Sequence, residues 1–255
     1  EWARFAPTTG NFLLNTTTDA GFKLDVNGTA RVKAQSALST EVTFSVRNSA
    51  NTRNFLVVNG AGDVYNNGAG GVTSNTFFGE NAGRVATGQS NTFFGNNAGA
   101  SNTGGNFNSF FGLSAGSANI GGLSNCFFGR ISGFNNTNGS NNSFFGTQSG
   151  RFIADGITNL TAVDNSVFIG FDTRANGNSQ TNQIVIGDTA IGAGSNTATL
   201  GNTSIVDTIL RGRINLQQYA TGSRPTYVKG ALIYDSTLGK LVVGGDAGWE
   251  VVTSI

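Results

Sequence analysis

The sequence predicts an all-β protein whose centre is a solenoid of short stacked coils, flanked by small β modules. Three observations carry that expectation: a phrase that recurs at fixed spacing, a pair of phenylalanines inside it, and the lack of any ten-residue stretch with helical periodicity. The phrase occurs five times in close copies: Asn75-Thr76-Phe77-Phe78-Gly79, Asn91-Thr92-Phe93-Phe94-Gly95, Asn108-Ser109-Phe110-Phe111-Gly112, Asn125-Cys126-Phe127-Phe128-Gly129 and Asn142-Ser143-Phe144-Phe145-Gly146. Its closing glycines lie 16, 17, 17 and 17 residues apart, and the five pairs hold 10 of the 20 phenylalanines. The phrase then loosens to Asn165-Ser166-Val167-Phe168-Ile169-Gly170, Asn182-Gln183-Ile184-Val185-Ile186-Gly187 and Asn196-Thr197-Ala198-Thr199-Leu200-Gly201. A fixed period of this length marks identical units stacked on one another.

The period limits the coil. At about 3.3 Å of rise per residue, one repeat has room for two short strands and two turns. Coils about 4.8 Å apart would make eight of them a roll roughly 38 Å long. The phrase itself reads as one strand, with asparagine before it and glycine closing it. Asparagines at one coil position are expected to stack into a ladder, each amide bonding to the next. The glycine suits a turn with positive φ or a close backbone approach.

Successive strand residues point to opposite faces, so the two rings of each pair look in opposite directions. A coil this thin has one interior. The second row would form an outer apolar stripe larger than a soluble monomer usually shows, and is expected to be buried between chains. A homotrimer accommodates one row inside each coil and the other on the central axis. The competing arrangement is a wider, monomeric solenoid with both rows inside. The residues expected in the roll core or on the axis are Phe77, Phe78, Phe93, Phe94, Phe110, Phe111, Phe127, Phe128, Phe144, Phe145, Phe168, Ile186 and Leu200.

The run Asn165 to Gly170 and its relatives resemble the head repeats of trimeric autotransporter adhesins, the YadA-like heads, whose repeat is close to Asn-Ser-Val-Ala-Ile-Gly. The form in residues 75–83 and 91–99, Asn-Thr-Phe-Phe-Gly-x-Asn-Ala-Gly, is similar to a variant in bacteriophage tail fibres and related bacterial surface fibres. The resemblance covers about residues 70–210 and implies a left-handed parallel β-roll in an obligate homotrimer. It is specific for architecture and weak for function, because adhesins and phage fibres share it. Residues 15–32 resemble a segment of tail fibres from phages and prophages of Bacteroidetes-type hosts, which favours the phage setting. The run Val206 to Gly212 looks like the exit towards a terminal module. In many relatives a self-cleaving chaperone follows; residues 222–255 offer only a short β end-piece, so no autocleavage is carried over.

Three segments follow: an N-terminal β-rich shaft or adaptor at 1–73, the roll at 74–210, and a linker with a C-terminal end-piece at 211–255. Strands are expected at 12–15, 22–26, 29–34, 41–47, 54–58 and 63–65. The pair 22–26 and 29–34 flanks an Asn27-Gly28 turn. A meander is expected over 231–235, 240–243 and 249–252. Charged residues make up 11% of the chain, against about 25% in typical globular domains. The net charge of +1 gives no electrostatic case for nucleic acid, and no apolar run is long enough to span a bilayer as a helix. Methionine is absent, so Glu1 reads as a processed end or the start of an excerpt of a longer protein, while Ile255 reads as a true terminus.

The chemical inventory points away from catalysis. There is no histidine, which excludes a Ser-His-Asp or Cys-His arrangement and an imidazole metal site. Cys126 fills the Thr/Ser slot of a repeat and has no basic neighbour to activate it. Some phage spikes cleave glycans with paired carboxylates, but between 75 and 150 the only acid is Glu80. Asp155, Asp164, Asp172 and Asp188 read as turn residues. Neither a metal nor a cofactor is expected.

Binding is expected elsewhere. The gap from Gly146 to Gly170 is 24 residues, seven above the period, with the surplus near Arg151–Ile157. Insertions in a stacked repeat emerge as loops on one face, often the contact face; the plainer reading is a loop that covers the roll. Arg151 and Phe152 there, with Arg224, Tyr227 and Trp249 in the end-piece, are the candidate receptor contacts. Tyr234 and Trp249 also read as packing for a small β module. The expected function is a non-enzymatic trimeric fibre attaching a particle to a host surface: a phage tail fibre on the virion. Its partners would be copies of itself, tail or baseplate proteins on the N-terminal side, and a host glycan or protein. A bacterial surface adhesin is the alternative. An ice-binding solenoid is a remote third, disfavoured because Phe stands where regular Thr would be required.

Overall fold

The computed structural model describes residues 74–252 continuously and, before them, five strands: β1 (Arg4–Phe5), β2 (Phe12–Leu13), β3 (Val42–Arg47), β4 (Asn54–Asn59) and β5 (Val64–Tyr65). β1 pairs antiparallel with β2, and β3, β4 and β5 form an antiparallel sheet in that order. These match the expected strands at 41–47, 54–58 and 63–65. The hairpin expected around Asn27-Gly28 lies outside the described residues. The chain divides into two compact units, Glu1–Thr203 and Ser204–Ile255.

The roll is a parallel β-solenoid. Its strands are β6 (Thr76–Phe78), β7 (Thr92–Phe94), β8 (Ser109–Phe111), β9 (Cys126–Phe128), β10 (Ser143–Phe145), β11 (Val163–Asp164), β12 (Val167–Ile169), β13 (Gln180–Thr181), β14 (Gln183–Ile186) and β15 (Thr197–Leu200). Eight of them build one parallel sheet, in the order β15-β14-β12-β10-β9-β8-β7-β6. Every phrase pairs residue for residue with the next, so Phe93 lies beside Phe77 and Phe94 beside Phe78. Most coils hold one strand rather than the two expected. Among the described residues of the roll, parallel pairing outside the eight-stranded sheet is found where β11 pairs with β13 and at the isolated bridges Ile153–Ala175 and Arg174–Ile191. Elsewhere residues in the left-handed region, such as Asn97 (φ 57°) and Gly99 (φ 56°), bend the chain into successive turns that no strand can contain.

One ring of each pair faces inward, as expected. Phe77, Phe93, Phe110, Phe127, Phe144 and Phe168 form a continuous stack with centroids 4.7–4.9 Å apart and planes within 12°. Phe93, Phe110, Phe127, Phe144 and Phe168 are wholly buried. Each contributes about 2–3 kcal/mol by burial. The second row points outward, so the wide solenoid with both rows inside is not the fold. The inner column continues through Val185 and Thr199. Val185 is wholly buried and was not among the expected core residues.

Two glycine columns make the stack possible. A Cβ on Gly116, whose φ is +55°, would sit 2.5 Å from the Phe110 ring. A Cβ on Gly112, whose φ is +138°, would sit 2.5 Å from the Gly129 carbonyl oxygen of the next coil. The first column gives the rings their width, and the second lets coils approach to strand spacing.

The asparagine ladder forms, but not amide to amide. The side-chain oxygens of Asn75, Asn91, Asn108 and Asn125 accept from the backbone N–H of the next Asn in the column, at 2.8, 2.9, 2.9 and 3.0 Å. The amide nitrogens of Asn75, Asn91, Asn108 and Asn125 donate to the carbonyls of Gly88, Gly105, Gly122 and Gly139, across their own coils. Only Asn142 also donates directly to a neighbouring amide, Asn125. The later repeats correct the alignment. Ser143 pairs with Val167, which puts Ser166, not Asn165, in the ladder slot. Gln183 and Thr197 follow in that slot. Asn165, Asn182 and Asn196 instead occupy left-handed turn positions.

Gly116→Ala should destabilise the roll by about 1–3 kcal/mol, since it adds overpacking to backbone strain. Thermal unfolding of the variant beside the unmodified chain measures this, and an unchanged midpoint would refute the steric role of that column.

Candidate binding surfaces

The outer face of the eight-stranded sheet is two columns wide. One column carries Thr76, Thr92, Ser109, Cys126, Ser143, Val167, Ile184 and Ala198. The other carries Phe78, Phe94, Phe111, Phe128, Phe145, Ile169, Ile186 and Leu200. Phe78 is 66% exposed, Phe94 47% and Leu200 55%. The column is about 34 Å long at strand spacing. Its rings stack less evenly than the inner ones, with centroids from 4.5 to 6.1 Å apart. Among the described residues, no coil wall presses them into register as it does the inner row. Cys126 lies half-buried on this face, and burial pushes its thiol up from the usual value, so it is not activated as a nucleophile.

The insertion after the fifth phrase emerges as a small hairpin. Phe152 bridges Asn159 in antiparallel fashion, the Ile153 N–H donates to the Thr158 carbonyl, and the Leu160 N–H donates to the Arg151 carbonyl. Asp155 organises the tip: its carboxylate accepts from the Ile157 and Thr158 N–H groups and from the Thr158 hydroxyl. The Thr158 hydroxyl first, then those two N–H groups, hold the Asp155 carboxyl below its usual value. Ile157, at the tip, is 82% exposed. Leu160, at the base, is buried in the core cluster. The Arg151 guanidinium lies 4.5 Å over the Phe152 ring and donates to Gln148. Arg151 and Phe152 are thus brought together, both half-buried, at the root of an apolar tip. Beside them Arg174 pairs with Asp172, a turn residue of the next coil.

In the second unit, β16 (Gln218–Tyr219), β17 (Leu232–Asp235), β18 (Lys240–Gly244) and β19 (Trp249–Val251) form one sheet in that order. The last three are the expected meander, while β16, which pairs parallel with β17, was not anticipated. The one described helical turn is 3-10, Thr221–Ser223. Asp235 is wholly buried and was missed, because nothing in the sequence links it to Arg224 eleven residues earlier. The Arg224 guanidinium Nε donates to it at 2.6 Å, the Thr221 hydroxyl contacts both its oxygens, and the Leu238 N–H donates to it at 2.8 Å. Trp249 Nε1 donates to the Pro225 carbonyl at 2.9 Å, and the Tyr227 hydroxyl donates to the Asp246 carbonyl at 3.3 Å. Of the three receptor candidates here, Arg224 and Trp249 hold the loop onto the sheet, and Tyr227 remains partly exposed. They share one region with each other but belong to a different unit from Arg151 and Phe152.

Among the described residues, no three His, Cys, Asp or Glu side chains cluster as metal ligands, and no helix is long and apolar enough to cross a membrane. Comparison with protein-family models, curated proteins and solved structures finds no match to this chain.

Burial works against ionisation of Asp235, but the Leu238 N–H, Arg224 and the Thr221 hydroxyl outweigh it and draw the carboxyl below its usual value. The stability it supplies is therefore full above the unfolded-state value of about 3.9 and fades as pH falls through the lower folded value. Tryptophan emission of a Trp2→Phe chain, titrated with acid, should report loosening of the end-piece below that range. Arg224→Ala should move the transition to higher pH; an unmoved transition would sink the assignment.

Proposed function

We propose that this chain is a non-enzymatic, homotrimeric fibre protein that attaches a particle to a host cell surface, in the setting of a phage tail fibre. The outward aromatic column carries the proposal. An apolar stripe of this length is unstable in water unless something covers it, and a stripe repeated at strand spacing is best covered by its own copy. Three rolls with their columns on a common axis bury all three stripes at once. The other faces of each roll then remain free for the Arg151–Leu160 hairpin.

The resemblance of the repeats to phage-fibre and YadA-like heads supports the same assembly. The N-terminal side would face tail or baseplate proteins, and the C-terminal end-piece a host glycan or protein. The histidine-free, acid-poor roll supports a role without catalysis. A bacterial surface adhesin remains the alternative, because the repeat serves both settings. Ice binding gains no support. Thr87, Thr103 and Thr137, stacked at one coil position, commit their hydroxyls to the carbonyls of the next coil, and Ile120 interrupts them.

Light scattering of the purified chain should give three times the chain mass, and Phe111→Asp should abolish assembly by placing an unpaired charge on the axis. A stable monomer of the unmodified chain would overturn the trimer. Deleting 222–255 should abolish adsorption to host cells while the roll stays folded and trimeric, because three weak contacts act through avidity. Unchanged adsorption by the truncated fibre would move the contact to the roll or its hairpin.

A further inference from the structure

An asparagine followed by glycine is open to attack on its side chain by the glycine nitrogen, because no Cβ stands in the way. Two such pairs lie among the described residues of the roll, Asn138-Gly139 and Asn176-Gly177, and both asparagines are exposed. Their surroundings differ. Gly139 is built into the ladder. Its N–H donates to Asn136 Oδ1 at 3.1 Å, and its carbonyl accepts from Asn125 Nδ2 at 2.8 Å and from Asn136 Nδ2 at 3.1 Å. A Cβ on Gly139 would sit 2.2 Å from the Val163 carbonyl oxygen of the next coil. The nitrogen that would have to swing onto Asn138 is held, and freeing it requires the ladder to open.

Gly177 has no such restraint. Among the described residues its N–H donates to no acceptor, and the Asn176 side chain makes no hydrogen bond. Beyond its chain neighbours, no heavy atom lies within 4 Å of the place a Cβ would take, and its φ is outside the left-handed region. The pair forms a bend between Ala175, which bridges Ile153, and the turn at Asn178 and Ser179. That turn ties down the return limb of the insertion hairpin. Asn178 Oδ1 accepts from the Thr161 N–H at 2.7 Å and from the Thr161 hydroxyl at 3.2 Å, and its Nδ2 donates to the Asn159 carbonyl at 3.2 Å. The Ser179 N–H donates to the Ala162 carbonyl at 2.8 Å.

We propose that Asn176 is a site of spontaneous covalent modification, and that its product loosens the return limb of the hairpin. The Gly177 nitrogen gives its proton to hydroxide and bonds to Asn176 Cγ. The Cγ–Nδ2 bond breaks, ammonia leaves, and a cyclic succinimide remains. Water then adds to one of the two imide carbonyls and the ring C–N bond at that carbon breaks. Opening on one side leaves aspartate; opening on the other leaves isoaspartate, whose main chain runs through the former side chain. The extra methylene falls between the Ala175 bridge and Asn178, and a new carboxylate comes with it. Asn178 is thereby shifted against Thr161 and Asn159. The chemistry is independent of the assembly and the host contact proposed above, although the hairpin it acts on is a candidate contact.

The full chain, aged in mildly alkaline buffer, tests this by peptide mapping with fragmentation that separates isoaspartate from aspartate. In the folded chain Asn176 should convert roughly tenfold faster than Asn138 or more, because only Asn138 waits on local opening. Equal rates in the folded chain would overturn the proposal. Gly177→Ala places its Cβ in open space, so the fold is kept, and conversion of Asn176 should slow roughly tenfold as the nitrogen becomes crowded. Conversion as fast as in the unmodified chain would rule out attack by that nitrogen. Amide exchange reads the consequence: the Thr161 and Ser179 amides should exchange roughly tenfold faster in the aged chain than in the fresh one, as their hydrogen bonds are lost, while the aged Gly177→Ala chain matches the fresh one. An aged chain rich in isoaspartate at this position whose Thr161 and Ser179 amides stay protected would overturn the loosening.

Discussion

A phenylalanine ring can lie flat inside a coil of some seventeen residues only if the opposite wall gives up its side chains. The rest of the roll depends on that constraint. Gly83, Gly99, Gly116, Gly133 and Gly150 each face the inner ring of their own coil, and any Cβ there would enter the ring. Once the wall is fixed, coil width is fixed, and the rings stack at the strand spacing itself. The closing glycines then bring adjacent coils within reach, and the asparagine ladder satisfies the backbone groups that the turns leave over. The hydrophobic column and the polar ladder are therefore two halves of one device. The rings hold the coil open to one width, and the amides tie it shut at one point.

The same geometry dictates the surface. Because a strand alternates, placing one ring inside places its neighbour outside, and the sequence cannot keep the first without exposing the second. Each coil thus adds one increment to the core and one to the outer stripe. The apolar area on that stripe scales with the number of coils, so it belongs to the whole roll rather than to a local patch. The insertion and the end-piece are the places where the repeat is interrupted and other chemistry enters.

Much of this was legible in the sequence because the signal was periodic. The Phe-Phe pairs gave both columns, and the glycine after each pair gave the register. Where the phrase loosens, asparagine misled. Asn165, Asn182 and Asn196 look like the ladder residue, yet each coil is anchored by its glycine, so the extra residue before it moves asparagine into the turn. The ladder's bonding also escaped, since which carbonyl an amide reaches depends on how the coil closes. Val185 was passed over for Ile186 because the two are chemically alike and only register separates them. In the end-piece no period exists. The Arg224–Asp235 pair and the parallel strand β16 arise from a return of the chain that composition does not encode.

The C-terminal end of the roll carries one more consequence. Along the inner column the side chain shrinks from Phe168 to Val185 to Thr199, and the last coil shortens to 14 residues between Gly187 and Gly201. A stack of parallel strands otherwise ends in an open edge of backbone donors and acceptors, the template from which fibrils grow. Here the final rung is narrower than any phenylalanine coil and offers a hydroxyl where an incoming ring would need an apolar seat. A first coil of another copy would bring the Phe77 ring against Thr199, a mismatch in width and polarity that works against head-to-tail growth from this edge.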